Sequence, residues 1–162
     1  MSDIVLNKDF LDKDVFLKIK NTLLSDCFPW FYNSFTGNIN DKSDFLFYHY
    51  LFKDNLQASD FFNLMLVPIL SKLDCSFLIR AKINLYTKKE QQIETDFHVD
   101  QTYKHKVAIF SVNSNNGFTL FEDGRKITSE ENQISFFNGD LKHCSVNQTD
   151  ENIRINININ YV

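Results

Sequence analysis

Proline and glycine are scarce in this sequence, with two and four copies in 162 residues, and tryptophan occurs once. No Gly/Ser/Pro-rich linker divides the chain, and no repeat or low-complexity tract is present. The three cysteines, Cys27, Cys75 and Cys144, are odd in number, widely spaced and free of any CxxC pair. That pattern excludes a disulfide framework and suits a reducing compartment. Met1 is followed at once by polar and charged residues, so no secretory leader is expected. The longest mainly apolar run, Phe61 to Leu70, is far short of the roughly 20 residues that span a bilayer. A basic excess is missing too. The formal net charge is −4, and the small clusters Lys88–Lys89 and Lys104–His105–Lys106 read as solvated loop charges. Nucleic acid is therefore an unlooked-for partner. These absences together predict a cytoplasmic protein with no membrane segment, folded as one domain over residues 1–162. A chain of this length buries roughly two-thirds of its unfolded surface and needs no staples.

What the sequence has in plenty is aromatic: 17 Phe and 6 Tyr. Aromatic and β-branched residues favour pleated, half-buried surfaces. The pattern changes near residue 75. Before it, Asp14 to Ser25 carries Val15, Phe16, Ile19, Leu23 and Leu24 at the spacing of an amphipathic helix. Phe28 to Phe35 and Phe45 to Phe52 read as aromatic strands joined by a polar Gly/Asn/Asp loop. Ser59 can cap a second helix reaching about Leu73, with a kink or break expected at Pro68. Residues 1–75 thus form a helical and aromatic support region.

After residue 75 the chain reads as short strands. In Phe77 to Tyr86, Phe77, Ile79, Ala81, Ile83 and Leu85 take one face, while Arg80, Lys82, Asn84 and Tyr86 take the other. Lys106 to Asn113 is a strand, Asn113 to Gly117 a turn, and Gly117 to Phe121 a strand. Asp123–Gly124 marks another turn. Gln133 to Phe137, His143 to Asn147 and Asn152 to Tyr161 follow. In the last, Ile153, Ile155, Ile157 and Ile159 oppose Arg154, Asn156, Asn158 and Asn160. That polar face can meet water or line a polar cavity, and alternation alone does not choose. The fold class expected is mainly β: a double-stranded β-helix (jelly roll) with N-terminal α-helices packed on one sheet.

His98-Val99-Asp100 sets an imidazole and a carboxylate two residues apart, so an extended backbone points both the same way. His143, several strands later, can return a third ligand to the same point. Two His and one carboxylate form the donor set of non-haem Fe(II) oxygenases, which leaves coordination positions open. Each part occurs by chance, and ordinary surface or core histidines are the competing reading. Arg154 adds weight, because a guanidinium on the polar face of the last strand is a natural bidentate partner for a carboxylate.

These residues resemble the signature of the 2-oxoglutarate/Fe(II)-dependent oxygenases, in particular their prolyl-4-hydroxylase-like branch. The resemblance runs from about Arg80 to Tyr161, and Phe118 to Asp123 is similar to small members carried by marine bacteriophages. It implies that His98, Asp100 and His143 bind Fe(II) as the catalytic centre. It implies that Arg154 pairs with the distal carboxylate of the cosubstrate 2-oxoglutarate, with Tyr86 donating its hydroxyl to the same group. Asn84 and Asn156, on the same polar faces, join the cosubstrate-binding set. O2 would be consumed, succinate and CO2 released, and a C–H bond oxidised. The substrate implied is a protein side chain or a small amino-acid-like metabolite. Asp100 favours hydroxylation, since halogenating relatives lack this carboxylate.

Two alternatives stay open. Asn84-x-Tyr86 and Arg154-x-Asn156 also match the nucleic-acid demethylase branch, although Asn160 stands where that branch has a second Arg. A cupin-like metal- or ligand-binding jelly roll without a redox cycle is the other, and Arg154 argues against it. The remaining candidates read as structural: Cys144 as a buried small residue, His49 as a packed or capping histidine, His105 as solvated, and Trp30, Phe31 and Tyr32 as core. Thr87 to Asp96, polar and just ahead of His98, is either a solvated connector or a flap over the site.

Overall fold

The computed structural model describes residues 4–36 and 45–162. The polar loop expected between the two aromatic segments lies largely outside the described residues. Among the described residues the strands are β1 Val5–Asn7, β2 Phe31–Asn33, β3 Leu46–Lys53, β4 Leu56–Gln57, β5 Leu78–Thr87 and β6 Lys106–Ser111. They continue with β7 Asn115–Phe121, β8 Lys126–Ser129, β9 Gln133–Asn138, β10 His143–Val146 and β11 Ile153–Tyr161. The helices are α1 Lys13–Leu23, α2 Phe62–Met65 and α3 Val67–Leu70.

Two antiparallel sheets form. The larger runs β1-β9-β6-β11-β5-β3-β2, with β4 pairing β3; the smaller runs β10-β7-β8. Isolated bridges Glu94↔Val146 and His98↔His143 extend the smaller sheet past β10, so residues 94–98 act as an irregular fourth strand. From β5 onward the chain passes back and forth between the sheets, with β7 and β8 kept together in the smaller one, which is the jelly roll expected from the strand pattern. The turn expected after β6 does not pair its two strands with each other. It is a corner that carries the chain from the larger sheet to the smaller one, tied by Asn113, whose Nδ2 donates to Ile153 O at 2.8 Å and whose Oδ1 accepts from Ile155 N at 2.9 Å.

The alternation of β11 decides which side is core. Ile155, Ile157 and Ile159 are buried in one cluster with Ala81 and Ile83 of β5, Phe110 of β6, and Phe16, Ile19 and Leu23 of α1. Each such side chain contributes about 1.5–3 kcal/mol when taken out of water. The helices thus pack on the apolar face of the larger sheet. α1 starts one residue before the expected Asp14 and ends two before Ser25, its apolar stripe intact. The second expected helix is two single turns that meet at Leu66. Pro68 cannot donate to the carbonyl four residues back and its ring crowds that carbonyl, so the turn restarts. Ser59 Oγ accepts from Phe61 N at 3.1 Å in the turn ahead of α2, but the N-cap position of that helix is Phe61 and carries no side-chain cap, so the expected Ser59 cap falls outside the helix. A second cluster, with Val107, Ile109, Phe121, Ile127 and Phe137, fills the space between the sheets at the other side. Among the described residues no helix is long and apolar enough to cross a membrane.

Candidate metal and cosubstrate site

The polar faces of β5 and β11 meet in strict register: Tyr86 opposite Arg154, Asn84 opposite Asn156, Lys82 opposite Asn158 and Arg80 opposite Asn160. Residues directly opposed in a sheet share a face, so these eight side chains form one polar surface. Six of them, Arg80, Lys82, Asn84, Tyr86, Asn156 and Asn158, form the floor of a cavity of about 230 Å³ between the sheets. The second reading of the β11 pattern, a polar-lined cavity, is the one realised.

The smaller sheet supplies the other wall. His98 and His143 are bridge partners, and each amide donates to the other's carbonyl at 3.0 Å. Their rings lie 4.9 Å apart between centroids. The same device orients both. His98 Nδ1 lies 3.1 Å from Asp96 O and His143 Nδ1 lies 3.0 Å from Leu141 O. A carbonyl can only accept, so each Nδ1 carries the hydrogen and each Nε2 keeps its lone pair for a metal. Burial also lowers the His143 pKa, with Asp100 opposing, which favours the neutral, ligating imidazole. Asp100 completes the group: one donor atom from each of the three residues lies within 4.8 Å of the others.

Asp100 is held from the floor. Arg80 Nη2 donates to its Oδ1 at 2.8 Å, and Asn158 and Asn160 donate to its Oδ2 at 3.2 and 3.1 Å. Burial alone would raise its pKa. Arg80, with His143 and His98, outweighs that and holds the carboxyl well below the usual carboxylate range. Arg80, Asn158 and Asn160 were not singled out from sequence, although the alternation placed them on the right face.

Arg154, 2 % exposed, lies beneath the cavity surface rather than on it. Its Nη1 donates to Ser145 Oγ at 2.9 Å and Val146 O at 3.0 Å, and its guanidinium carbon sits 5.3 Å from the centre of the Tyr86 ring. Its Nε is buried without a partner, and among the described residues no carboxylate pairs with it. Gly117 makes room for it, since a Cβ there would come within 3.0 Å of Arg154 Cδ. Tyr86 meets Arg154 with its ring, and no protein group holds its hydroxyl among the described residues. Asn84 Nδ2 donates to Asn156 Oδ1 at 3.1 Å, leaving Asn84 Oδ1 buried and unpartnered.

A buried cation without an anion is costly, and orphaned buried polar atoms are uncommon. The unpaired cation lies at the Arg154 end of the cavity with Asn84 Oδ1, while Arg80 Nε and Asn160 Oδ1 are unpartnered at the Asp100 end. A ligand carboxylate would accept from Arg154 Nε and neutralise its charge, while the free Nε2 atoms and Asp100 suit a hard-to-intermediate divalent metal. The residues present therefore fit both groups that the sequence motif implied.

The remaining readings resolve as follows. His49 is packed on Phe28 and Phe61 and bonds Pro29 O and Ser59 Oγ at 2.8 and 2.7 Å. Cys144 is buried, and burial pushes its thiol up to about 11. His105 is a correction: it is 4 % exposed, not solvated, and only a glycine at 139 leaves space for its ring. Phe31 and Tyr32 are also corrected, being surface aromatics rather than core. Thr87 to Asp96 contributes nothing to the cavity lining and is pinned along β10, with Ile93 N donating to Asn147 Oδ1 at 2.7 Å and Thr95 N to Ser145 O at 3.0 Å. Its far end pairs with Val146 as an edge strand through Glu94.

No family model and no curated protein sequence matches the chain. Solved structures do. The non-haem α-ketoglutarate-dependent epimerase SnoN from nogalamycin biosynthesis matches with a TM-score of 0.71 at 16% identity, over 99% of this chain and 76% of that one. A Trichoplax adhaerens prolyl hydroxylase, solved with a hypoxia-inducible-factor peptide, matches at 0.67 and 10% identity, over 98% and 82%. The viral collagen prolyl hydroxylase of Paramecium Bursaria Chlorella virus-1, solved with 2-oxoglutarate, matches at 0.59 and 14% identity, over 98% and 96%. Built on two facing antiparallel sheets with the ligand cluster between them, this chain has the double-stranded β-helix fold of the 2-oxoglutarate/Fe(II)-dependent oxygenases.

Proposed function

We propose that this protein is an Fe(II)- and 2-oxoglutarate-dependent dioxygenase that hydroxylates a C–H bond of a protein side chain or a small amino-acid-like metabolite. One observation carries the reading: a single cavity has a His–Asp–His ligand cluster on one wall and, under its floor, a buried guanidinium with no anion. A metal-binding module without chemistry has no use for the second feature.

In this reading His98 Nε2, His143 Nε2 and Asp100 hold the metal, and Arg154 anchors the distal carboxylate of 2-oxoglutarate. Bound together, Fe(II) and 2-oxoglutarate supply O2 activation, with succinate and CO2 released and the substrate C–H bond oxidised. The protein's part is positioning. The carbonyls of Asp96 and Leu141 fix both imidazole tautomers. Arg80, Asn158 and Asn160 keep Asp100 ionised and aimed. Ser145 and the Val146 carbonyl hold one arm of Arg154, leaving Nε to the ligand. Tyr86 covers the guanidinium and excludes water there, which strengthens its charge-assisted bonds. Asn84 and Asn156 offer an amide acceptor and donor between the two ends.

The test is an anaerobic titration of Fe(II)-loaded protein with 2-oxoglutarate, followed by visible absorption. A new charge-transfer band that is absent in His98→Ala is the expected result. Bound iron with no band overturns the reading in favour of a metal-binding jelly roll without a redox cycle.

A further inference from the structure

Lys82 is a cation that the reading above does not use. It stands on β5 between Asn84 and Arg80, lines the cavity, and faces Asn158 across the strand pair. Tyr50 is its register partner on β3, and Tyr48 is that of Asn84, so both tyrosines share the cavity face of the sheet. Lys82 Nζ lies 5.4 Å from the Tyr48 ring centre and 6.0 Å from that of Tyr50, and the two rings are 5.2 Å apart. No carboxylate pairs with Lys82 among the described residues.

Charge makes this informative. The cavity region has three fixed cations, Arg80, Lys82 and Arg154, and among its described lining residues one carboxylate, Asp100. A divalent metal and a dianionic cosubstrate together add no net charge, so which cation stays unmatched is decided by contact. Arg80 is matched by Asp100, and Arg154 by the cosubstrate. Lys82 is left over, half-buried, on the side of the floor nearest the ligand cluster. Removal from water is already expensive for it: burial, with the neighbouring Arg80, lowers its pKa to about 8. An anion placed on it would reverse that cost.

Resting on the oxygenase reading, we propose that Lys82, flanked by Tyr48 and Tyr50, binds a carboxylate of the primary substrate and so selects carboxylate-bearing molecules. Consecutive positions on one strand face are roughly 7 Å apart, and Asn158, opposite Lys82, bonds the metal-cluster residue Asp100. The carbon to be oxidised therefore lies only a few bonds from the recognised carboxylate.

The probes are N-acetyl amino acids, each beside its neutral amide, added to Zn(II)-loaded protein saturated with 2-oxoglutarate, with binding read by ligand-observed NMR. The acids are expected to bind about tenfold tighter than the amides, the scale of one charge-assisted contact. Lys82→Met should erase that preference and Lys82→Arg retain it. Equal affinity for acids and amides, no binding of either, or a preference that survives in Lys82→Met overturns the proposal. The Fe(II)–2-oxoglutarate absorption band is measured on the same proteins. A wild-type band without acid preference sinks the Lys82 assignment alone, whereas no wild-type band sinks the oxygenase reading beneath it.

Discussion

Two arginines stand at opposite ends of the β5–β11 polar face, and their surroundings differ. Arg80 meets Asp100 at 2.8 Å and forms the one ion pair at the cavity among the described residues. Arg154, more deeply buried, has only a hydroxyl, a carbonyl and an aromatic ring. A charge paired within the protein works in the protein's own structure. A charge buried and left unpaired is held ready for something that arrives. On the function proposed above, the same residue type on the same sheet face takes a supporting role at one end and a binding role at the other, by partner rather than by position.

The largest effect should come from Arg154→Met. Losing a bidentate anchor should weaken 2-oxoglutarate binding roughly a hundredfold or more, measured by the absorption titration, while Fe(II) binding stays near wild type. The same variant sharpens the contrast, because it removes a buried unpaired cation. Without 2-oxoglutarate its thermal midpoint should match or exceed that of the wild type. A clear drop would mean that Arg154 is structural.

Arg80→Met should do the reverse. It strips a buried carboxylate of its cation, at a cost of about 3 kcal/mol in folding stability by denaturant titration, and divalent metal should recover part of the loss. The acid limb moves as well. Because the folded-state pKa of Asp100 is depressed, its contribution is present above the ordinary carboxylate pKa and is lost as pH falls through the folded value. Without Arg80 the folded value rises, so acid unfolding should begin at higher pH than in wild type. Identical acid limbs would show that Asp100 takes its charge stabilisation elsewhere.

Smaller changes grade the two ends. Asn160→Ala removes one of the two amides on Asp100 Oδ2 and should cost about 1 kcal/mol in stability and roughly tenfold in metal affinity by competition with a chelator. Tyr86→Phe should be milder still, weakening 2-oxoglutarate several-fold at most, since the ring contact with Arg154 remains. A loss equal to that of Arg154→Met would instead make the hydroxyl the main anchor.

Much of this was visible in the residues themselves. The alternation in β5 and β11 gave both strands and both faces, and the His-x-Asp spacing together with His143 named the three residues whose donor atoms the fold brings within 4.8 Å of one another. What alternation cannot give is a partner. Arg80 and Arg154 look alike in the pattern, and only the register, which brings Asn158 and Asn160 beside Asp100, tells them apart. β1 and β8 went unseen because three or four residues with mixed polarity carry no period. The corner after β6 read only as a turn because Asn and Gly mark a change of direction, not its destination. His105 looked solvated among lysines, and its burial depends on a glycine more than thirty positions away whose lack of a side chain leaves no local signal.

The Ile–Asn repeat of β11 has one more consequence. A slip by one residue would turn every isoleucine into the cavity, and burial forbids it. A slip by two keeps both faces intact, so the hydrophobic core is nearly blind to it. Only the ends differ: Arg154 at one, and the irregularity between Asn160 and Tyr161 at the other. Such a misthreaded strand would shift the guanidinium by roughly 7 Å, beyond reach of an anion bound at its native place. The strand therefore serves as a ruler whose markings are interchangeable, read correctly only because its two ends are not.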